Sequence, residues 1–146
     1  MQRKAFDVKQ IWWSSSPSPP GVDATLLELC GTPDNVEPMP LVNRFPKLND
    51  TSRAYIIGHP RGYEKPQFSI QDNLVVDYDD TRLHYRSPTE GGSSGSPVFE
   101  SQWKVIGLHH AGSETMSYLK GKRGTYAANE ALRIDAIRSA ISSTGI

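Results

Sequence analysis

Several features that would mark particular classes of protein are missing from this sequence of 146 residues. Its single cysteine, Cys30, cannot form an intramolecular disulfide, and a lone thiol favours a reducing compartment, so we expect a cytoplasmic protein while secretion stays open. No apolar run approaches the roughly 20 residues that cross a bilayer, so no membrane partner is expected. Sixteen basic and sixteen acidic residues balance, which gives no excess charge for capturing nucleic acid.

Histidine is absent from the first part of the chain. Residues 1–22 contain none, and the four histidines are His59, His84, His109 and His110. This distribution matters because histidine is the side chain that enzymes use most often as a general base.

A turn rich in glycine and serine is the most informative feature that the sequence does contain. Residues 89–99 read TEGGSSGSPVF, and the strand-like segment VIGLHHAG follows at residues 105–112. Glycines let the backbone bend sharply, and such a bend can aim two N–H groups at the oxygen of a substrate carbonyl. Ser94 lies in the middle of the turn and is the candidate nucleophile, which needs an adjacent base. Most turns of this composition are only turns, and that is the alternative.

Both segments resemble the trypsin-like serine proteases. Residues 89–99 match the family's T-x-G-G-x-S-G-S-P-V-F motif, and residues 105–112 match the V-I-G-L-H strand that follows it. The resemblance covers residues 53–112 and is closest to bacterial glutamyl endopeptidases and intracellular trypsin-like peptidase domains. It implies an all-β fold of antiparallel barrels with a C-terminal helix, and a serine endopeptidase that hydrolyses polypeptides through an acyl-enzyme at Ser94.

A second segment extends the resemblance toward the start of the chain. Residues 22–29, VDATLLEL, are similar to the family's D-x-A-L-L-x-L strand, in which the aspartate orients the catalytic histidine. Asp23 is therefore the candidate acid of the triad, although an acid in this setting, taken alone, is more often a turn residue. The family order is His, Asp, Ser, and no histidine precedes Asp23 here. The resemblance implies the C-terminal part of a two-barrel protease, close to inactive alone.

The resemblance also assigns the residues that would bind substrate. The oxyanion hole would be the N–H groups of Gly92 and Ser94, and the specificity pocket would use Thr89 and His109. A hydroxyl and an imidazole can hydrogen-bond a carboxylate, so acidic residues before the scissile bond are the expected preference. The alternative for His109 is a half-buried strand residue that donates to a backbone carbonyl. His110 would point to the opposite face, unless a bulge exchanges the two roles.

Prolines and turn residues divide the chain into three predicted parts. Residues 1–30 would be a remnant of the first barrel with the strand of Asp23, residues 31–50 an interdomain linker, and residues 51–146 a complete second barrel. Two strands alone make a marginal sheet, so the first thirty residues are expected to expose apolar side chains, including those of Ile11, Trp12 and Trp13. Strands are predicted at residues 4–13, 23–29, 53–58, 67–70, 74–78, 82–86, 97–100, 104–108 and 124–127, and a helix at 130–142 capped by Asn129.

Three functions from different classes stay open at this point. The first is a serine endopeptidase present as a fragment, the second a pseudoprotease that binds peptides, and the third half of a split protease completed in trans. The expected partners are a polypeptide substrate and a missing first-barrel segment or a fused effector domain. No cofactor is expected, and the acidic stretch DYDD at residues 77–80 is more typical of a solvated turn than of a metal site.

Overall fold

A computed structural model of the chain describes residues 4–18 and 20–145. Within these residues the fold is mostly antiparallel β-structure, with one short 3₁₀ turn at Pro60–Gly62. The strands and the helix are β1 (Val8–Ser14), β2 (Thr25–Leu29), β3 (Tyr55–Gly58), β4 (Gln67–Phe68), β5 (Val75–Tyr78), β6 (Arg82–Tyr85), β7 (Pro97–Phe99), β8 (Val105–Ser117), β9 (Thr125–Arg133) and α1 (Ile134–Ser142).

Two sheets are present in the described part of the chain. Strands β1 and β2 form an antiparallel pair, and the other seven are ordered β4-β3-β7-β8-β9-β6-β5. The sequence predicts an all-β architecture with a C-terminal helix, and the second sheet and the helix α1 that follows it confirm this. The prediction of a complete barrel is wrong, because β4 and β5 are the two edge strands of this sheet and are not hydrogen-bonded to each other. In the described residues an isolated antiparallel bridge between Arg53 and Leu74 links the flanks of β3 and β5.

The hydrophobic core is formed by apolar side chains of both sheets and of the helix. Leu83, Val98 and Ile106 are fully buried on three different strands of the large sheet. Trp13 and Val22, from the N-terminal hairpin, join the same cluster. The expectation of exposed apolar residues is therefore correct for Ile11 and Trp12, which are 64% and 48% exposed, and wrong for Trp13, which is 9% exposed.

The last strands are longer than the sequence predicts. Strands β8 and β9 extend to Ser117 and Arg133 and form a long hairpin, in which Leu108 pairs with Leu132 and Ser117 with Thr125. Asn129 therefore lies within β9 opposite Tyr85 of β6, and it does not cap a helix. The helix begins at Ile134, four residues later than predicted, because pairing on both sides of β9 outweighs the local helical preference of residues 130–133.

Candidate active site

The turn that presents Ser94 is fixed by the backbone conformation of two glycines. Gly92 and Gly95 have φ angles of 91° and 83°, in a region that residues with a Cβ rarely adopt. A Cβ on Gly92 would also lie 2.9 Å from the backbone nitrogen of Arg61. The glycine-rich motif therefore meets a steric requirement of this turn, and the turn leaves Ser94 exposed to solvent.

Backbone hydrogen bonds stabilise the turn but use only some of its N–H groups. The N–H groups of Ser93, Gly95 and Ser96 donate to backbone carbonyls, the shortest being Gly95 to the oxygen of His109 at 2.7 Å. The N–H groups of Gly92 and Ser94 donate to no backbone carbonyl in the described residues. Two unused N–H groups beside an exposed hydroxyl are what stabilisation of an oxyanion requires.

One residue, His110, touches both Ser94 and Asp23. The Oγ of Ser94 donates a long hydrogen bond of 3.4 Å to the carbonyl oxygen of His110. The ring Nδ1 of His110 lies 3.2 Å from Oδ2 of Asp23. The fold thus brings the candidate nucleophile and the candidate acid, 71 positions apart in the sequence, to opposite sides of a single residue.

The imidazole of His110 is committed to a buried carboxylate. Its Nε2 lies 2.6 Å from Oε1 of Glu130, whose other oxygen is 2.7 Å from Nε2 of His84. Burial alone would raise the pKa of Glu130, but the hydrogen bonds from His110 and His84 outweigh it and lower that pKa to about 2. The hydrogen bond to Glu130 raises the pKa of His110, against the opposing effect of burial. Both ring nitrogens of His110 therefore face carboxylates, and neither is hydrogen-bonded to Oγ of Ser94 in the described residues.

The other three histidines are also engaged elsewhere. Nδ1 of His59 lies 2.8 Å from the carbonyl oxygen of Tyr63, and Nδ1 of His84 lies 2.5 Å from the hydroxyl of Tyr126. Nδ1 of His109 lies 2.7 Å from the hydroxyl of Tyr85. In the described part of the chain, no imidazole nitrogen is hydrogen-bonded to Oγ of Ser94.

Thr89 and His109, the predicted pocket residues, do line one cleft together with Ser94. The cleft has a volume of about 770 Å³ and is also lined by Asn129. Burial, with a smaller contribution from the charge of His110, lowers the pKa of His109 to about 4, so its ring is neutral near pH 7. The hydrogen bond of His109 goes to a tyrosine hydroxyl and not to the backbone carbonyl that the alternative interpretation predicted.

A β-bulge explains why the neighbouring histidines both reach this cleft. His109 pairs with Ala131 and Ala111 pairs with Glu130, so His110 has no partner of its own in β9. The extra residue bends the strand and turns its side chain, as bulges near active sites often do. The two histidines keep separate roles, since His109 contacts the core tyrosine and His110 contacts the carboxylates.

Sequence reasoning missed the residues that support these histidines. Glu130 and Asn129 were placed in and before the helix, and Tyr85 received no role. The signal that could have found Glu130 is a strand pattern, because Ala128, Glu130 and Leu132 are all buried on alternate positions of β9.

Neither a metal site nor a membrane span is visible in the residues described. No group of three or more histidine, cysteine and acidic side chains there is placed to hold a metal ion. None of their helices is long and apolar enough to cross a bilayer.

Comparison with known proteins shows the family to which the chain belongs. Among curated proteins, "Uncharacterized protein y4fB" of Sinorhizobium fredii (strain NBRC 101917 / NGR234) is 40% identical over 76 residues, which covers 47% of this chain and 11% of the relative. The chain thus spans only a small part of the length of that relative. The family model described as "Trypsin-like peptidase domain" matches residues 3–108, well over half of the chain. On the strength of that match, the chain belongs to the trypsin-like peptidase domain family.

Proposed function

We propose that this chain carries the nucleophile side of a serine endopeptidase, with Ser94 as the nucleophile and Asp23 as the orienting acid. The observation that carries the proposal is the pair of unused N–H groups, those of Gly92 and Ser94, beside the exposed Ser94 hydroxyl. The family supports serine-peptidase chemistry as the class of reaction.

On this proposal the chain contributes the following steps. Oγ of Ser94 attacks the carbonyl carbon of the scissile peptide bond, and the N–H groups of Gly92 and Ser94 stabilise the resulting oxyanion. Collapse of the tetrahedral intermediate breaks the C–N bond, and the amine leaves with the proton that was removed from Ser94, while the acyl group stays on Ser94. Water then attacks the acyl group and the bond to Oγ breaks, which releases the carboxylic acid product and restores the Ser94 hydroxyl.

The proton of Ser94 needs a base that the described residues do not supply. We propose that a histidine from outside them completes the site, either from a first-barrel segment or from a second chain. Oδ1 of Asp23 makes no hydrogen bond within the described contacts, and the side chain is 42% exposed, so it can accept the Nδ1–H of an incoming imidazole. Asp23 has a φ of 39°, and such unfavourable backbone conformations concentrate at functional sites.

Peptide binding without cleavage is the second candidate function. Its support is the commitment of all four histidine rings to partners other than Ser94, which leaves the cleft beside Ser94 without a general base. On this proposal the chain would hold a polypeptide in the cleft without hydrolysing it, as a pseudoprotease does.

Acylation by an activated ester separates the two proposals. The chain is incubated with p-nitrophenyl acetate, alone and with a first-barrel fragment from a two-barrel relative, and the adduct is mapped by mass spectrometry. An endopeptidase half acylates at Ser94 much faster with the fragment than without it. Ser101→Ala, which removes another exposed serine, should behave as the parent, whereas Ser94→Ala should not acylate. Absence of an adduct under both conditions, in a folded chain, favours peptide binding.

A further inference from the structure

The directions of the hydrogen bonds in the cleft decide what kind of side chain it can hold. At Thr89 and His109 each proton can be assigned from the chemistry of the groups that surround it. The assignment of this cleft as the pocket for the residue before the scissile bond rests on the proposed function.

At His109 the tautomer is fixed by a buried phenol. Tyr85 is fully buried, and His109 Nδ1 is the hydrogen-bond partner of its hydroxyl in the described residues. If Nδ1 carried the proton and donated it, the buried hydroxyl proton would have no acceptor, which proteins avoid. Tyr85 therefore donates to Nδ1, and the neutral ring carries its proton on Nε2. Nε2 has no partner in the described contacts, so His109 offers the cleft one neutral N–H donor.

At Thr89 the hydroxyl proton is already in use. Nδ2 of Asn129 lies 2.5 Å from the carbonyl oxygen of Ser87, and a carbonyl can only accept, so this atom must be the amide nitrogen. Oδ1 of Asn129 therefore faces Thr89 and accepts its hydroxyl proton at 2.8 Å. What Thr89 still offers the cleft is a lone pair of Oγ1, which is an acceptor.

The charges around the cleft disfavour an anion. Asp72, Glu90 and Glu114 line it, against the single guanidinium of Arg86. Glu90 is paired with Arg61, which leaves two unpaired carboxylates among these residues. The ring of His110 lies between the carboxylates of Asp23 and Glu130. A carboxylate that entered would meet one neutral donor, one acceptor and an excess of negative charge.

We infer that this cleft is built for an uncharged carboxamide side chain, that of glutamine or asparagine, and not for the acidic side chain that the resemblance implies. The carbonyl oxygen of the carboxamide accepts from Nε2–H of His109, and its NH₂ group donates to Oγ1 of Thr89. Gly112 leaves the approach open, because a Cβ there would lie 2.4 Å from Oδ1 of Asn129. Tyr85 acts as a positioning residue, since it sets the tautomer of His109 without touching the substrate.

Matched peptides test the inference directly. Three N-acetylated tetrapeptides that differ only in a C-terminal Gln, Glu or Met are titrated into the full chain at pH 7, and their dissociation constants are measured by calorimetry. The expected result is binding of the Gln peptide at least about tenfold tighter than of the Glu peptide, with Met between or weaker. Equal or tighter binding of the Glu peptide, or no measurable binding of the Gln peptide, would overturn the inference.

Variants and nitrogen spectroscopy separate positioning from a general effect on folding. Tyr85→Phe should reduce the preference in affinity for the Gln peptide over the Glu peptide several-fold. Thr89→Val should reduce the same preference without changing a core residue. Tyr63→Phe, which changes an exposed tyrosine, should leave the preference unchanged. Long-range ¹H–¹⁵N spectra should show His109 of the parent as the neutral Nε2–H tautomer at pH 7. A charged His109 or the Nδ1–H tautomer contradicts the inference even if Tyr85→Phe fails to fold. Repeating the titrations in Ser94→Ala keeps this test independent of catalysis, because binding does not need the nucleophile.

Discussion

The ring of His110 lies 3.2 Å from the carboxylate of Asp23, measured from Nδ1 to Oδ2, and this contact joins the N-terminal hairpin to the large sheet. The same ring reaches Glu130 through Nε2, so the two carboxylates sit on either side of one imidazole. The candidate triad acid is therefore held near Ser94 by a residue whose two ring nitrogens both face carboxylates.

Removing the His110 ring should destabilise the fold. In His110→Ala, Glu130 stays buried but loses one of its two histidine partners, and Asp23 loses its contact with the sheet. We expect a loss of about 1–3 kcal/mol in the free energy of unfolding, measured by urea denaturation. His59→Ala serves as the control, because His59 is exposed and its ring is hydrogen-bonded to a loop carbonyl and not to a buried carboxylate. An equal loss in both variants would contradict this role of His110.

Glu130 should make stability depend on acidic pH. Its pKa is about 2 in the folded chain against an ordinary value of 4.5, so its contribution is fully present above 4.5 and is lost as pH falls toward 2. Urea denaturation at several pH values should show this decline for the parent. Glu130→Gln should be less stable at pH 6 and should lack that part of the decline. A parallel pH profile for the two chains would count against a charged, hydrogen-bonded Glu130.

His109 and His110 should make the free energy of unfolding depend on pH in opposite directions. The lowered pKa of His109, about 4 against 6.5, means that stability falls as pH decreases from 6.5 to 4, because the unfolded chain takes up the proton first. The raised pKa of His110 means that its contribution is complete below 6.5 and is lost as pH rises through the higher folded value. NMR titration of the two rings should give pKa values on opposite sides of 6.5. Two values on the same side would contradict the assignment.

Gly92 should be indispensable to the turn. Gly92→Ala places a side chain at φ 91° and 2.9 Å from the Arg61 nitrogen, which costs about 1–3 kcal/mol of stability and displaces the N–H group assigned to the oxyanion hole. Acylation of Ser94 in the complemented site should fall by about a hundredfold. Gly91→Ala is the matched control, since a Cβ there would meet nothing within 4 Å. Similar acylation rates for the two variants would show that the turn is not the oxyanion hole.

Exposed apolar side chains of the N-terminal hairpin should drive association. They are those of Ile11, Trp12, Leu26, Leu27 and Leu29, all at least 37% exposed. Ile11→Ser should reduce concentration-dependent light scattering while changing the free energy of unfolding by less than about 0.5 kcal/mol. If scattering is unchanged in this variant, Ile11 is not part of the contact surface.

Local patterns in the sequence were sufficient for the parts of the site that depend on neighbouring residues. The turn of Ser94 needs glycines at fixed positions, and the β-class of the fold followed from short strands with β-branched residues. Both features depend on backbone geometry within a few residues. The placement of Thr89 and His109 in one cleft was predicted from the family resemblance instead.

What the sequence could not predict depends on contacts between distant strands. The extension of β9 through Glu130 comes from pairing with β6 and β8, and it moved Asn129 from a helix cap to the cleft. The bulge at His110 has no sequence signature of its own. The direction of the Tyr85 hydrogen bond, which decides the chemistry of His109, appears only once the two side chains are placed together.

Labelling by a fluorophosphonate probe tests whether Ser94 is a nucleophile that lacks only its base. The parent chain and Ser94→Ala are each labelled alone and with a first-barrel fragment that carries a catalytic histidine. We expect no significant labelling of either chain alone, and labelling of the parent but not of Ser94→Ala once the fragment is added. Ser94-dependent labelling of the parent alone would contradict it, because one of the four histidines would then have to act as the base.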